Sequence, residues 1–68
     1  MNNALHTAKT ERKFQNALAE LLEDTGNDTY VSTFEDVGML TLNKGLVVRL
    51  ENGAEFQVTI VQSCNAKN

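Results

Sequence analysis

The segment from Leu46 to Val61 constrains the fold more than any other part of the chain. Apolar and polar residues alternate on both sides of Glu51-Asn52-Gly53, a pattern typical of two antiparallel strands joined by a tight turn. A two-residue turn would place Arg49 opposite Phe56, so that charge and core would share one face. A three-residue loop with a left-handed Gly53 avoids this conflict. We therefore predict this loop, with the following pairs across the hairpin: Leu50 with Ala54, Val48 with Phe56, Leu46 with Val58, Val47 with Gln57, and Arg49 with Glu55.

A second run, Leu42-Asn43-Lys44-Gly45-Leu46, has the same order of residue types and predicts another three-residue loop. Together the two loops predict a three-stranded antiparallel meander with strands near residues 38–42, 46–51 and 54–62. One face of this sheet is apolar and forms the expected core surface: Leu40, Leu42, Leu46, Val48, Leu50, Phe56, Val58 and Ile60.

An amphipathic helix precedes the predicted sheet. Apolar residues recur there at steps of three and four, on one side of a helix: Phe14, Ala17, Leu18, Leu21 and Leu22. Several residues could cap its start: Asn2, Asn3, Thr7 and Thr10. Gly26 is expected just after its end. A helix with one apolar stripe needs a sheet face to cover. The predicted fold class is therefore α+β, one N-terminal amphipathic helix packed on a three-stranded or four-stranded antiparallel β-meander.

Two segments carry weaker signals. Residues 29–34 are rich in strand formers and could be a fourth strand, whereas Ser32 and Glu35 have the spacing of a capping box that opens a helical turn. Residues 29–37 are therefore expected to be a short strand or an irregular connection. Residues 63–68 lack apolar periodicity, so we expect a single domain over residues 1–62 and a disordered C-terminal tail.

The shortness of the chain calls for stabilisation beyond its own core. A chain of 68 residues buries only about 60% of the surface that its unfolded form exposes. The single cysteine, Cys64, and the single histidine, His6, cannot form an internal disulfide or complete a four-ligand zinc site. Association with another chain is the remaining source of extra stability, so we expect a homodimer or a complex with a partner. No run of about 18 apolar residues and no signal peptide is present, which favours a cytoplasmic protein with no membrane partner.

The net charge of −3 is unevenly distributed along the chain. Acidic residues without a neighbouring base cluster in its middle and form what we call the acidic group: Glu20, Glu23, Asp24, Asp28, Glu35 and Asp36. Those at the end of the helix oppose its dipole, which local stability does not explain. The acidic group is therefore a candidate surface for a basic protein partner, such as a nucleic-acid-binding protein. The structural alternative is ordinary solvated charge.

Two other surfaces are candidates for binding. Four basic residues share one side of the helix if it starts early enough, and this basic stripe could bind anions or nucleic acid: His6, Lys9, Arg12 and Lys13. The sheet face turned away from the helix carries apolar and neutral residues that one helix cannot cover: Met39, Thr41, Val47, Thr59 and Val61. Together with the open edges of a meander, this outer face favours a dimer or partner interface.

Catalytic and cofactor motifs are missing from the sequence. The four glycines are isolated and are interpreted as turn residues, so they form no phosphate-binding loop. His6 and Cys64 lie near opposite ends of the chain. Both terminal segments would have to be ordered before Cys64 could act as a nucleophile with His6 as its base. We therefore expect no enzymatic activity, no metal and no cofactor.

The run from Gly45 to Val61, behind the helix residues Thr10-Glu11-Arg12-Lys13-Phe14, resembles the small accessory proteins encoded by bacteriophages, among them anti-CRISPR and other anti-defence inhibitors. The resemblance covers most of the chain and assigns no site residue. It implies a non-catalytic protein that inhibits or modulates a larger protein by covering its surface, in the cytoplasm of the host cell. Two alternatives stay open: a small dimeric nucleic-acid-binding regulator that uses the basic stripe, and a minor structural component of a phage particle.

Overall fold

The computed structural model describes residues 4–24, 29–39 and 42–67. Within these ranges a 3-10 turn, Ala4–Thr7, precedes helix α1, Glu11–Glu23. Three strands follow, β1 Tyr30–Thr33, β2 Lys44–Arg49 and β3 Glu55–Ile60, and they pair antiparallel in the order β1-β2-β3. Helix α1 packs against β1 and β2. The predicted α+β class, an N-terminal helix on a three-stranded antiparallel sheet, is confirmed.

Helix α1 begins after Thr10, one of the candidate caps. The Oγ1 atom of Thr10 accepts a hydrogen bond from the N–H of Lys13 at 3.2 Å, which satisfies one of the free donors of the first turn. At the other end, the N–H of Asp24 donates to the carbonyl of Glu20 at 2.9 Å. Gly26, the residue expected just after the helix, lies outside the described residues.

The hairpin between β2 and β3 has the predicted loop and register. Gly53 has a φ of +89°, and the N–H of Leu50 donates to the carbonyl of Ala54 at 2.8 Å. Arg49 lies opposite Glu55, with an Nη2 to Oε1 distance of 2.9 Å. The remaining pairs also match the prediction: Val48 with Phe56, Val47 with Gln57, and Leu46 with Val58. The alternation of apolar residues was sufficient to fix this register, because a slip by one residue would expose the whole apolar set.

The first predicted hairpin is wrong. Lys44 and Gly45 are not loop residues but belong to β2, where they pair with Ile60 and Thr59. Leu42, expected in the core opposite Leu46, is fully exposed, and residues 40 and 41 lie outside the described residues. A glycine is needed at position 45 for space rather than for a turn. A Cβ atom there would lie 2.5 Å from the carbonyl oxygen of Val58 and would clash with the ring of Phe34.

Residues 30–33 supply the strand that the prediction placed at residues 38–42. Strand β1 pairs with β2 from Tyr30 opposite Arg49 to Thr33 opposite Leu46, so the short-strand interpretation of this segment is confirmed. A turn over residues 34–38 follows it. The hydroxyl that caps this turn belongs to Thr33, whose Oγ1 accepts from the N–H of Asp36 at 3.0 Å. The cap is therefore one residue later than the expected Ser32.

The core is small and lies mainly where α1 crosses β1 and β2, with the end of β3 at its margin. Its buried apolar residues are Ala17, Phe34, Leu46, Val48 and Ile60. Gln15 is buried as well, and its Oε1 accepts a hydrogen bond from the N–H of Gly45 at 3.0 Å. Two residues of the predicted helix stripe, Phe14 and Leu21, are 39% and 48% exposed, so the expectation that both are buried is wrong. The helix turns Gln15 toward the sheet because Gly45 offers a free backbone donor at that point.

The chain after β3 returns to the start of α1. The N–H of Gln62 donates to Oε2 of Glu11 at 2.8 Å, and its Nε2 donates to the carbonyl of Lys9 at 3.0 Å. These bonds attach the end of the expected domain to the first turn of the helix. Residues 63–67 contain no helix or strand, and the disorder expected for residues 63–68 stays a prediction.

Candidate protein-binding surfaces

The acidic group is divided by the fold. Glu20, Glu23 and Asp24 are exposed in the last turns of α1 and at its C-terminal cap, while Asp28 lies outside the described residues. Glu35 is bound to Arg12, in the first turn of α1. Because 11 residues separate Arg12 from Glu23, the two ends lie about 16 Å apart along the helix axis. The acidic group is therefore at least two surfaces rather than one.

Glu35 is the centre of a small charge cluster that ties α1 to the sheet. Its carboxylate lies 3.2 Å from Nη1 of Arg12 and 3.5 Å from Nζ of Lys44, the first residue of β2. The hydrogen bond from Arg12 and the charges of both bases hold the pKa of Glu35 below its ordinary value of 4.5. This carboxylate is engaged within the protein. Asp36, its neighbour, is exposed in the turn that Thr33 caps.

The basic stripe does not form a continuous helix face. His6 belongs to the 3-10 turn and Lys9 to the connection that follows it, whereas Arg12 and Lys13 lie in the first turn of α1. The condition for the stripe was a helix that starts before His6, and α1 starts at Glu11. Arg12 is also paired with Glu35, so its charge is partly neutralised.

The outer face of the sheet carries a shallow depression of about 690 Å³, which we call the outer depression. Two of the predicted residues, Met39 and Val47, line it. The other lining residues come from all three strands and the turn after β1: Tyr30, Ser32, Val37, Arg49, Glu55 and Gln57. Tyr30 and Val37 are 65% and 49% exposed. Thr41, a third predicted member, lies outside the described residues.

Thr59 and Val61 line a different depression. It has a volume of about 510 Å³ and lies between α1 and β3, with Phe14 and Leu18 of the helix facing Val58 of the strand. The residues after β3, including Gln62, form one of its walls. The predicted outer-face residues thus border two depressions, Met39 and Val47 one and Thr59 and Val61 the other, while the register keeps Thr59 on the same sheet face as Gln57 and Val47.

The sequence did not point to Tyr30, Val37 or Phe14 as surface residues. Tyr30 and Val37 lie in the segment whose conformation was left open, and only a strand at residues 30–33 brings Tyr30 beside Arg49. The alternation of Tyr30 and Ser32 with Val31 and Thr33 was the available signal. Phe14 belongs to an apolar stripe that is wider than the area of sheet beneath it.

The described residues show neither a metal-binding cluster nor a membrane-spanning helix. In residues 4–24, 29–39 and 42–67, no three His, Cys, Asp or Glu side chains lie together in a way that could hold a metal ion. Over the same ranges, no helix has the length and apolar character needed to cross a membrane.

Known proteins give no match to this chain: no family model, no curated protein and no solved structure is significantly similar to it.

Proposed function

We propose that this chain is a non-catalytic protein-binding module that inhibits or modulates a larger protein by covering part of its surface, as a small phage accessory protein of the inhibitor type would. The outer depression is the proposed contact surface. The single observation that carries this proposal is a group of apolar side chains from β1, β2 and the segment after β1, namely Tyr30, Val37, Met39 and Val47, on the sheet face opposite α1.

The residue types of the outer depression suit a protein interface. Tyrosine, methionine and arginine are enriched where proteins bind each other, and Tyr30, Met39 and Arg49 all line this depression. Tyr30 offers a large ring with few rotatable bonds, so holding it in an interface costs little entropy. The Arg49–Glu55 ion pair supplies a polar border next to the apolar centre formed by Val37 and Val47.

The acidic residues at the end of α1 are proposed to guide association. Glu20, Glu23 and Asp24 are exposed and oppose the helix dipole. Charges of this kind raise association rates with a basic partner surface, and their effect falls with salt. Glu35 is left out of this role, because it already binds Arg12 and Lys44.

The experiment has a crosslinking step and a binding step. A photo-crosslinking amino acid in place of Tyr30 captures the bound protein from a host-cell extract, with excess unmodified chain as the competitor. The purified partner is then titrated with the Tyr30→Ala, Val37→Asp double variant. We expect its affinity to fall at least about tenfold, because aromatic anchors at interface centres carry much of the binding energy.

The matched control is Leu42→Asp. Leu42 is an apolar residue that is fully exposed and does not line the outer depression. We expect its effect on affinity to stay within about twofold, since isolated surface substitutions have small effects. Equal losses in Leu42→Asp and the double variant would exclude the outer depression as the contact surface. Retention of the chain on DNA or RNA with a steep salt dependence would instead favour the nucleic-acid-binding alternative.

A further inference from the structure

Among the described residues, one edge of strand β3 pairs with no other strand. Hydrogen-bonded and non-hydrogen-bonded pairs alternate in an antiparallel ladder, and the bond from Leu50 to Ala54 fixes that alternation here. Phe56, Val58 and Ile60 therefore direct their N–H and C=O groups toward β2. The same groups of Glu55, Gln57 and Thr59 point away from β2, and in the described part of the chain β3 pairs with no other strand.

The edge of β3 lacks the features that protect edges in monomeric proteins. Such edges are kept short or carry lysines, prolines or bulges. Strand β3 is six residues long, pairs with β2 without a bulge, and contains Glu55 as its single charged residue. The opposite edge differs, since β1 is four residues long and leads into the charge cluster around Glu35.

An apolar strip follows the same edge on the inner face of the sheet. Phe56 is 55% exposed and Val58 is half-buried, because α1 packs over β1 and β2 rather than over β3. Phe14 and Leu18 form the helix side of this strip. An unprotected edge and an uncovered apolar strip thus lie side by side on β3.

We propose that a second copy of this chain occupies this surface. The two β3 strands pair antiparallel about a two-fold axis at Gln57, where each Gln57 donates its N–H to the carbonyl of the other. Glu55 then lies opposite Thr59 of the second copy, so no like charges face each other. Phe56 lies opposite Val58 of the second copy, which pairs apolar with apolar residues.

This arrangement forms one six-stranded antiparallel sheet with both helices on the same side. The apolar strips of the two copies meet at its centre, between the helices. The outer depressions remain open on the other side, so the inference goes beyond the proposed function and does not depend on it. The contact is confined to one strand edge and a narrow apolar strip, and we therefore expect a dimer of micromolar affinity.

The first test uses the unmodified chain and residue-specific hydrogen exchange over a concentration series. Raising the concentration should slow exchange of the amides of Gln57 and Thr59 by about tenfold or more, because the dimer gives each a new acceptor. The amides of Phe56 and Val58 already bind β2, so their exchange should change less. The proposal would be overturned if amide exchange slowed at Phe56 and Val58 but not at Gln57 and Thr59, or if it changed at none of the four.

The second test measures the dimer dissociation constant by sedimentation. Gln57→Pro removes the outward N–H, which an edge strand tolerates, whereas Gln57→Ala keeps it. We expect the dissociation constant to rise about tenfold to a hundredfold in Gln57→Pro, since two symmetric hydrogen bonds are lost, and to change little in Gln57→Ala. A monomeric wild type at millimolar concentration, or equal dimerisation of both variants, would overturn the proposal. If Gln57→Pro fails to fold, the exchange series decides.

Discussion

Helix α1 covers one half of the inner sheet face and leaves much of the other half exposed. Over β1 and β2, α1 closes the surface: Leu46 has no exposure, Val48 is 7% exposed, and the Gln15 side chain reaches the backbone of β2. Over β3 the same face is open at the start of the strand, where Phe56 is 55% exposed, and it closes only at Ile60. A helix of 13 residues can cover about two strands, since helices are about 10 Å across and strands lie about 4.8 Å apart. Much of the inner face of the third strand is therefore left exposed.

The largest expected effect is the difference in unfolding free energy between Leu46→Ala and Phe56→Ala, measured by urea unfolding in dilute protein. Leu46→Ala should cost about 3 to 5 kcal/mol of unfolding free energy, because it opens a cavity in the covered half. Phe56→Ala should cost about 1 to 2 kcal/mol, since much of the ring is already hydrated. Equal costs would mean that the two halves are packed alike.

Gly45→Ala tests the close approach of Phe34 to β2. The added methyl group has no room beside the Phe34 ring and the Val58 carbonyl, and we expect a loss of about 1 to 3 kcal/mol in thermal or urea unfolding. Phe34→Leu combined with Gly45→Ala should show favourable coupling in a double-mutant cycle, because the smaller side chain relieves one of the two clashes. If the two changes in unfolding free energy simply add, the strain does not lie between the Phe34 ring and position 45.

Gln15→Met tests the polar contact between α1 and β2. Methionine nearly preserves the volume but cannot accept the bond from the N–H of Gly45, so we expect a cost of about 1 to 3 kcal/mol from the unsatisfied donor. Gln57→Met is the matched control, because Gln57 is exposed on the open strand, and its effect should stay within about 0.5 kcal/mol. Similar values for both variants would show that Gln15 contributes only packing.

The smallest expected effect concerns the ion pairs that join α1 to β2 through Glu35. Because the pKa of Glu35 is lowered in the fold, its contribution is complete above the ordinary value of 4.5 and is lost as the pH falls through the lower value of the folded protein. The stability difference between wild type and Glu35→Gln should shrink over that interval. Arg12→Gln should remove most of this pH dependence, since Arg12 is its main cause. If the stability difference between wild type and Glu35→Gln persists at pH values below this interval, the ionised Glu35 carboxylate is not its source.

Features set by neighbouring residues could be read from the sequence, and features set by distant residues could not. The β2–β3 hairpin followed from alternation and a left-handed Gly53, both local properties. Gly45 looked like a turn residue because its neighbours repeat the pattern of that hairpin. Its actual role depends on the ring of Phe34, which reaches it only through the pairing of β1 with β2.

The candidate surfaces show the same division. Val47 was placed correctly on the outer face because its position follows from the hairpin register. The separation of Glu35 from Glu23 was not predictable, since it depends on an ion pair with Arg12 across 23 positions of sequence. The opening beside β3 was missed for a similar reason: the width of the apolar stripe on α1 does not reveal which strands the helix will cover.

The most direct test of whether α1 covers β1 and β2 but leaves β3 exposed uses the three phenylalanines as probes. Fluorine-labelled phenylalanine gives one ¹⁹F resonance for each of Phe14, Phe34 and Phe56, and a soluble paramagnetic agent broadens each according to its exposure. In dilute protein we predict strong broadening of Phe56, intermediate broadening of Phe14 and almost none of Phe34, following their exposures of 55%, 39% and 4%. Comparable protection of Phe56 and Phe34 in dilute protein would show that the helix covers β3 as well, and would contradict the account.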